Sequence, residues 1–302
     1  MSAPDPATPP VRLTARRLID GCMRLRARTM SDAELACPAI VFAPHEDDET
    51  LGCGGTILRK RALGARVEIV FMTDGAASHA PALIERTALA AEREAEARSA
   101  ARVLGVEAGD LTFLGHPDGA LGTRHEAAVE EVAELLRQRR PAQVFAPYRH
   151  DGLPDHVATR DIVVAALDRV DEPVDLYTYP VWFWSHWPWM RDSAMVPPFA
   201  RRRRLRRSAA GALRAVSDLG VRVPIGAERD TKRRALDEHR SQMTRRADDP
   251  AWHVLADVAE GDFLARLLGD DEFFHHERRG ETRRGSNAAP GDAAAPPVPG
   301  AA

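Results

Sequence analysis

The chain has 302 residues, 44% of them hydrophobic and 29% charged, with a formal net charge of −3 at pH 7. That length suits one large domain or two modest ones, the balance is that of a globular protein, and the charge provides no basic field to collect nucleic acid. Three cysteines with no CxxC pair suggest neither a disulfide framework nor a thiolate metal site.

Taken in order, residues 1–10 carry four prolines and read as disordered. Leu18, Cys22 and Leu25 give helical spacing over Thr14–Thr29, so 1–37 reads as an N-terminal extension with one helix. No apolar core of signal length follows, and no run of about 18 apolar residues occurs anywhere. The expectation is a cytoplasmic protein that does not span a membrane, in a reducing compartment.

From Pro38 the pattern alternates. Ala39-Ile40-Val41-Phe42-Ala43 lacks polar alternation and predicts a buried parallel strand, with a helix over 56–63 behind it. Further strands are expected at 66–73, 111–114, 143–147 and 174–179. Helices are expected at 82–104, at 126–139 and between the last two strands, through Leu167. The alternation predicts an α/β fold with a mostly parallel sheet flanked by helices. Residues 181–207 hold four of the five tryptophans and then six arginines; they read as an aromatic, lid-like segment and a solvated helix face. Helical patterns return at 232–244 and 251–268, and from Gly280 the Gly-Ala-Pro tail reads as disordered. A single domain over 38–279 and a tail over 280–302 are therefore expected.

Every loop rich in histidine and acid falls at the carboxyl end of a strand, where open α/β sheets place ligands. Foremost is Pro44-His45-Glu46-Asp47-Asp48-Glu49-Thr50-Leu51-Gly52-Cys53-Gly54-Gly55. Burying that much charge is costly unless a cation compensates it. One aspartate can ligate while its neighbour faces substrate as general base, and Asp47 suits that second role. A third ligand must come from elsewhere, and His156, at the exit of the fourth strand, is the best candidate. Two histidines and one carboxylate leave positions open for water and substrate, and accept zinc, iron, cobalt or nickel. The competing explanation is acids that stabilise a helix N-terminus without metal.

The motif closely resembles the opening signature of the LmbE-like, or PIG-L, zinc-dependent N-deacetylases. Thr73-Asp74-Gly75, Arg93 with Glu96, Phe113-Leu114-Gly115-His116-Pro117-Asp118-Gly119, Pro154-Asp155-His156, Tyr179-Pro180-Val181-Trp182 and Lys232 to Gln242 are similar to its later blocks. The resemblance implies a Rossmann-like fold and one zinc per chain on His45, Asp48 and His156. It implies Asp47 as the base acting on a metal-activated water. The substrate implied is a small N-acylated amino sugar, most often the acetamide of an N-acetylglucosamine unit.

The chain departs from the family's usual His-Pro-Asp-His, with Leu153 in place of the first histidine. His150, His116 and His239 are candidates for its role, unless the metal and Asp47 suffice. Asp155 reads as orienting a ligand or capping a helix. Asp74 and Asp118 read as sugar contacts or turn closures, and Trp182 as a stacking surface or packing. Alternatives are cleavage of another amide, such as a thiol conjugate or an acylated antibiotic sugar, and a metal binder without catalysis. A nucleotide site with Gly52-Cys53-Gly54-Gly55 as phosphate loop is disfavoured, because the spacing is not GxGxxG.

Overall fold

The computed structural model describes residues 10–280 apart from 80–81, 171, 192–200, 247–248 and 250, with backbone alone at Pro10 and 201–207. The chain opens with helix α1 (Pro10–Arg26), strand β1 (Arg28–Thr29) and a single turn, α2 (Asp32–Leu35). The Ser31 hydroxyl accepts from the Glu34 amide while Glu34 accepts from the Ser31 amide, a reciprocal cap. The alternating region follows as β2 (Ala39–Ala43), α3 (Asp48–Ala62), β3 (Val67–Thr73), α4 (Arg86–Val103), β4 (Leu111–His116), α5 (His125–Arg139), β5 (Gln143–Pro147), α6 (Pro154–Leu167) and β6 (Val174–Tyr179). The last part adds α7 (Arg201–Asp218), β7 (Val221–Pro224), α8 (Arg229–Asp237), α9 (Arg240–Met243), α10 (Asp262–Leu267) and β8 (Asp271–Arg279).

The strands make one sheet in the order β1-β7-β8-β6-β5-β2-β3-β4. Pairing is parallel except for β8, which runs antiparallel to both β6 and β7. β2, β3 and β5 are buried at every position, as strands covered on both faces are, and they are apolar apart from Glu68, Thr73 and Gln143. Alternate residues of β2 feed two cores. Ala39, Val41 and Ala43 pack with residues of α3, α4 and α8, whereas Ile40 and Phe42 pack with residues of α5 and α6. The chain runs outward from β2 to β3 and β4, then returns to β5 on the other side of β2. The exits of β2 and β5 therefore face each other at the point where strand order reverses.

Several boundaries differ from expectation. The helix expected from 56 begins at Asp48, so the acidic motif is its first turn. Residues 28–29 are a strand paired with β7, and 10–26 are helical. The helix expected over 232–244 breaks at His239, where ψ is 63°, into α8 and α9. That over 251–268 becomes a 3₁₀ stretch, Leu255–Gly261, and then α10. Phe183, Trp184 and Trp189 are core residues, whereas Trp182 is half-buried. The expected disorder at 1–9 and 281–302, the remainder of the lid-like segment at 192–200, and the side chains of the arginine run lie outside the described residues. Among the described residues no helix is long and apolar enough to cross a membrane.

Candidate metal centre and its cavity

β2 ends at Ala43, and the chain turns through His45 into α3. Asp48 is the first residue of that helix, and its Oδ2 accepts from the His45 amide at 3.1 Å. From the neighbouring strand, β5, the exit loop leads into α6, whose third residue is His156. Three atoms converge here. His45 Nδ1 lies 3.1 Å and His156 Nε2 3.2 Å from Asp48 Oδ2. Their donor atoms all lie within 4.8 Å of one another.

The far nitrogens explain the near ones. His156 Nδ1 lies 2.6 Å from Asp151 Oδ2, and His45 Nε2 lies 3.2 Å from Asp118 Oδ1 and 3.5 Å from Asp155 Oδ2. A carboxylate only accepts, so without a cation each ring meets acceptors on both sides; with a cation bound, the far nitrogen would keep the proton and the near nitrogen would offer its lone pair. Carboxylates behind ligating histidines fix ring orientation and tautomer in this way. His156 Nε2 is fully buried and, among the described residues, makes no hydrogen bond of regular geometry despite its closeness to Asp48. Two imidazole nitrogens and a carboxylate oxygen gathered within 4.8 Å suit a divalent cation, so the residues fit a metal.

The electrostatics agree. Burial opposes charge on His156, yet Asp48 and Asp151 outweigh it and push its pKa up to about 9. Burial likewise opposes charge on His45, while Asp118, Asp155 and Asp48 raise it. Burial alone would raise Asp48, but His156 and His45 hold it well below the carboxylate range. Protons and a cation thus compete for one cluster of negative charge.

Asp47 has φ 155° and ψ −22°, a conformation that L-residues rarely adopt. Its neighbours hold it there. Its amide donates to Glu49 Oε2 at 3.1 Å, and Glu49 Oε1 in turn meets His239 Nε2 at 3.2 Å and the Thr50 hydroxyl at 2.6 Å. Arg93, buried on α4, donates to the Glu46 and Gly75 carbonyls, and its Nη2 lies 3.5 Å from Asp47 Oδ1. Burial pushes the Asp47 carboxyl up to about 7, with Arg93 opposing and Asp48 reinforcing.

These groups open into a cavity of about 300 Å³. Its polar lining includes Asp47, Ser78, His79, Arg93, Asp118 and Gln242, and its apolar lining Leu51, Leu153, Trp182, Leu255 and Val258. The remaining expected residues fall as follows. Asp118 and Trp182 line the cavity. Asp155 sits behind His45 and accepts from the Gly119 and Leu121 amides. Asp74 closes loops, its Oδ1 accepting from the Ala76 and Asp118 amides. His239 is buried on Glu49, and His116 meets Glu131. His150 is exposed against Tyr148 and does not line the cavity. Residue-by-residue reading passed over Asp151, whose other oxygen accepts from the Val181 and Phe183 amides. Its place five residues before His156 was the available signal.

The glycines after the acidic motif lie inside α3 and hold no phosphate loop. A Cβ on Gly52 would stand 2.2 Å from the Tyr179 ring, and one on Gly55 2.5 Å from Ile225. Close packing, not a ligand, requires them.

Residues 40–167 match the family model described as PIG-L, GlcNAc-PI de-N-acetylase. Over these residues the chain is similar to the PIG-L (LmbE-like) family. The PIG-L match spans β2 to α6 and so includes His45, Asp47, Asp48 and His156. A 1D-myo-inositol 2-acetamido-2-deoxy-alpha-D-glucopyranoside deacetylase from Mycobacteroides abscessus is 27% identical over 76% of this chain and 88% of its own. A deacetylase of the same name from Streptomyces griseus is 33% identical over 43% of this chain; the match spans about half that relative's length, 48%. Among solved structures, N,N'-diacetylchitobiose deacetylase from Pyrococcus horikoshii superposes with a TM-score of 0.58 over 91% of this chain and 95% of its own. At 20% identity that likeness establishes the shared α/β fold.

Proposed function

We propose that this protein is a zinc-dependent hydrolase of the PIG-L type that removes an N-acyl group, acetyl in the first instance, from an amino-sugar-containing small molecule. The observation that carries the reading is the meeting of His45 Nδ1, Asp48 Oδ2 and His156 Nε2 beside a buried Asp47 at the floor of a cavity. The relatives' names support the class of substrate.

His45, Asp48 and His156 would hold one zinc ion per chain, with Asp151 and the Asp118–Asp155 pair fixing the two rings. Bound there, the ion supplies Lewis acidity, which makes water nucleophilic near neutral pH and polarises a carbonyl oxygen. Asp47 is the base. Its Oδ1 faces Arg93, which leaves Oδ2 to take the proton of the attacking water. With leucine at 153, the same Asp47 returns that proton to the departing nitrogen. Leu51 and Leu153 exclude bulk water from the reacting centre. Unpaired Cys22, Cys37 and Cys53 support a cytoplasmic setting.

The test is release of primary amine from N-acetylglucosamine, its inositol glycoside and N,N'-diacetylchitobiose by zinc-loaded protein. The wild type should release amine from at least one. Asp47→Asn should lower the rate by about 10³-fold at equal zinc content. Near-normal turnover by that variant would remove Asp47 from the mechanism, and no release from any of the three would remove the deacetylase reading.

A further inference from the structure

Strand order divides the cavity chemically. β3 and β4 lie on one side of β2, and β5 and β6 on the other. The exits of β3 and β4 contribute Ser78, His79 and Asp118, and Gln242 joins them by donating to the Ser78 hydroxyl at 3.2 Å. The exits of β5 and β6 contribute Leu153 and Trp182. Trp182 stacks on Phe263 with ring centroids 4.5 Å apart, and Leu255 and Val258 join the same cluster. The metal-ligand cluster lies between the two flanks. Leu51, one turn after Asp48, and Leu153, three residues before His156, bring apolar surface up to the proposed ligands themselves.

An amide held at the metal has two arms. The nitrogen arm is a sugar, whose hydroxyls need hydrogen-bond partners once desolvated. The carbonyl arm is the acyl chain, which gains from apolar burial. The Ser78–His79–Asp118–Gln242 flank can serve the first. Among the described residues, the opposite flank offers the Trp182 N–H and, at its exposed edge beside Leu255, the His253 ring as side-chain hydrogen-bonding groups, against the apolar Leu51, Leu153, Leu255 and Val258.

We propose, resting on the hydrolase reading above, that Leu51, Leu153, Trp182, Leu255 and Val258 form an acyl-chain subsite. The preferred substrates are then amino sugars carrying an apolar N-acyl group longer than acetyl. In the reaction the water oxygen bonds to the acyl carbon, and the C–N bond breaks with its electron pair going to nitrogen. Both water protons end on that nitrogen, giving a fatty carboxylate and an ammonium.

The test is a series of N-acetyl-, N-butanoyl-, N-hexanoyl- and N-octanoyl-glucosamine with the zinc-loaded wild type, alongside Leu153→Asn and the octyl β-glycoside of N-acetylglucosamine. The expected result is a rise in kcat/KM of about 10-fold or more from acetyl to hexanoyl. Leu153→Asn should cut the hexanoyl-to-acetyl ratio several-fold, with circular dichroism and zinc content as checks on folding. Hydrolysis of N-acetylglucosamine with a flat or falling series would overturn the acyl subsite and leave the deacetylase reading standing. A gain with the octyl glycoside instead would assign the flank to the aglycone and also overturn it. Hydrolysis of nothing in the series would defeat the hydrolase reading and the subsite together.

Discussion

Lys232 and Glu272 meet 2.8 Å apart inside the hydrogen-bond ladder of α3. Glu272 accepts from the consecutive Gly55 and Thr56 amides, both at 2.8 Å. Lys232 donates to the Leu51 carbonyl at 2.9 Å, the oxygen that Gly55 would use in a regular helix. The pair thus inserts between the first turn of α3, which carries Asp48 and Glu49, and the remainder. Gly54 leaves the room, since a Cβ there would stand 3.1 Å from the Lys232 stem.

Removing one member strands the other without solvent. Lys232→Met should destabilise the fold by about 3–5 kcal/mol in urea titrations. It should also weaken zinc binding, measured by isothermal titration under conditions where the variant remains folded. Unchanged zinc affinity in a folded Lys232→Met protein would show that the pair supports the fold alone.

Asp151 reaches the proposed metal only through His156 Nδ1. Asp151→Asn keeps the size of the side chain and lets the amide nitrogen face the ring, which would favour the wrong tautomer at Nε2. Zinc affinity should fall by about 10–100-fold. A thermal melt separates this from a general loss of the loop, because Asp151 also anchors the Val181 and Phe183 amides.

The strand cores were legible because β2, β3 and β5 are buried on both faces and are apolar apart from Glu68, Thr73 and Gln143. The proposed ligands were legible because His45 and Asp48 are close in sequence and His156 opens a helix at another strand exit, after Gln143–Pro147. What failed has a common cause in distant partners. Gly52, Gly54 and Gly55 read as a loop after a polar turn, yet Tyr179, Lys232 and Ile225 make them good helix residues. β8, Asp271 to Arg279, carries no strand expectation because acids, histidines and arginines surround Phe273 and Phe274, and it becomes a strand because β6 and β7 flank it. Asp151 and Glu49 are ordinary acids until His156 and His239 fold against them.

Asp218 closes the loop that leaves β5, accepting from the Tyr148 hydroxyl and Arg149 Nη2, each at 2.7 Å, and from the Ser217 hydroxyl at 2.6 Å. Burial raises its pKa, but these donors outweigh burial and lower it. A carboxylate lowered on folding adds stability above its unfolded pKa, about 3.9, and loses it as pH falls through the folded value. The Tm difference between wild type and Asp218→Asn should therefore hold steady from about pH 5 to 8 and shrink below about pH 4. A difference that grew on acidification would contradict the assignment.

The central claim is that two distant loops share one metal. The direct measurement is zinc content by mass spectrometry of the wild type, His45→Ala and His156→Ala, each loaded with zinc and desalted. The account predicts about one zinc per wild-type chain and loss of most of it in both variants, with circular dichroism unchanged. A wild type that holds no zinc after loading, or either variant retaining it in full, would contradict the shared site.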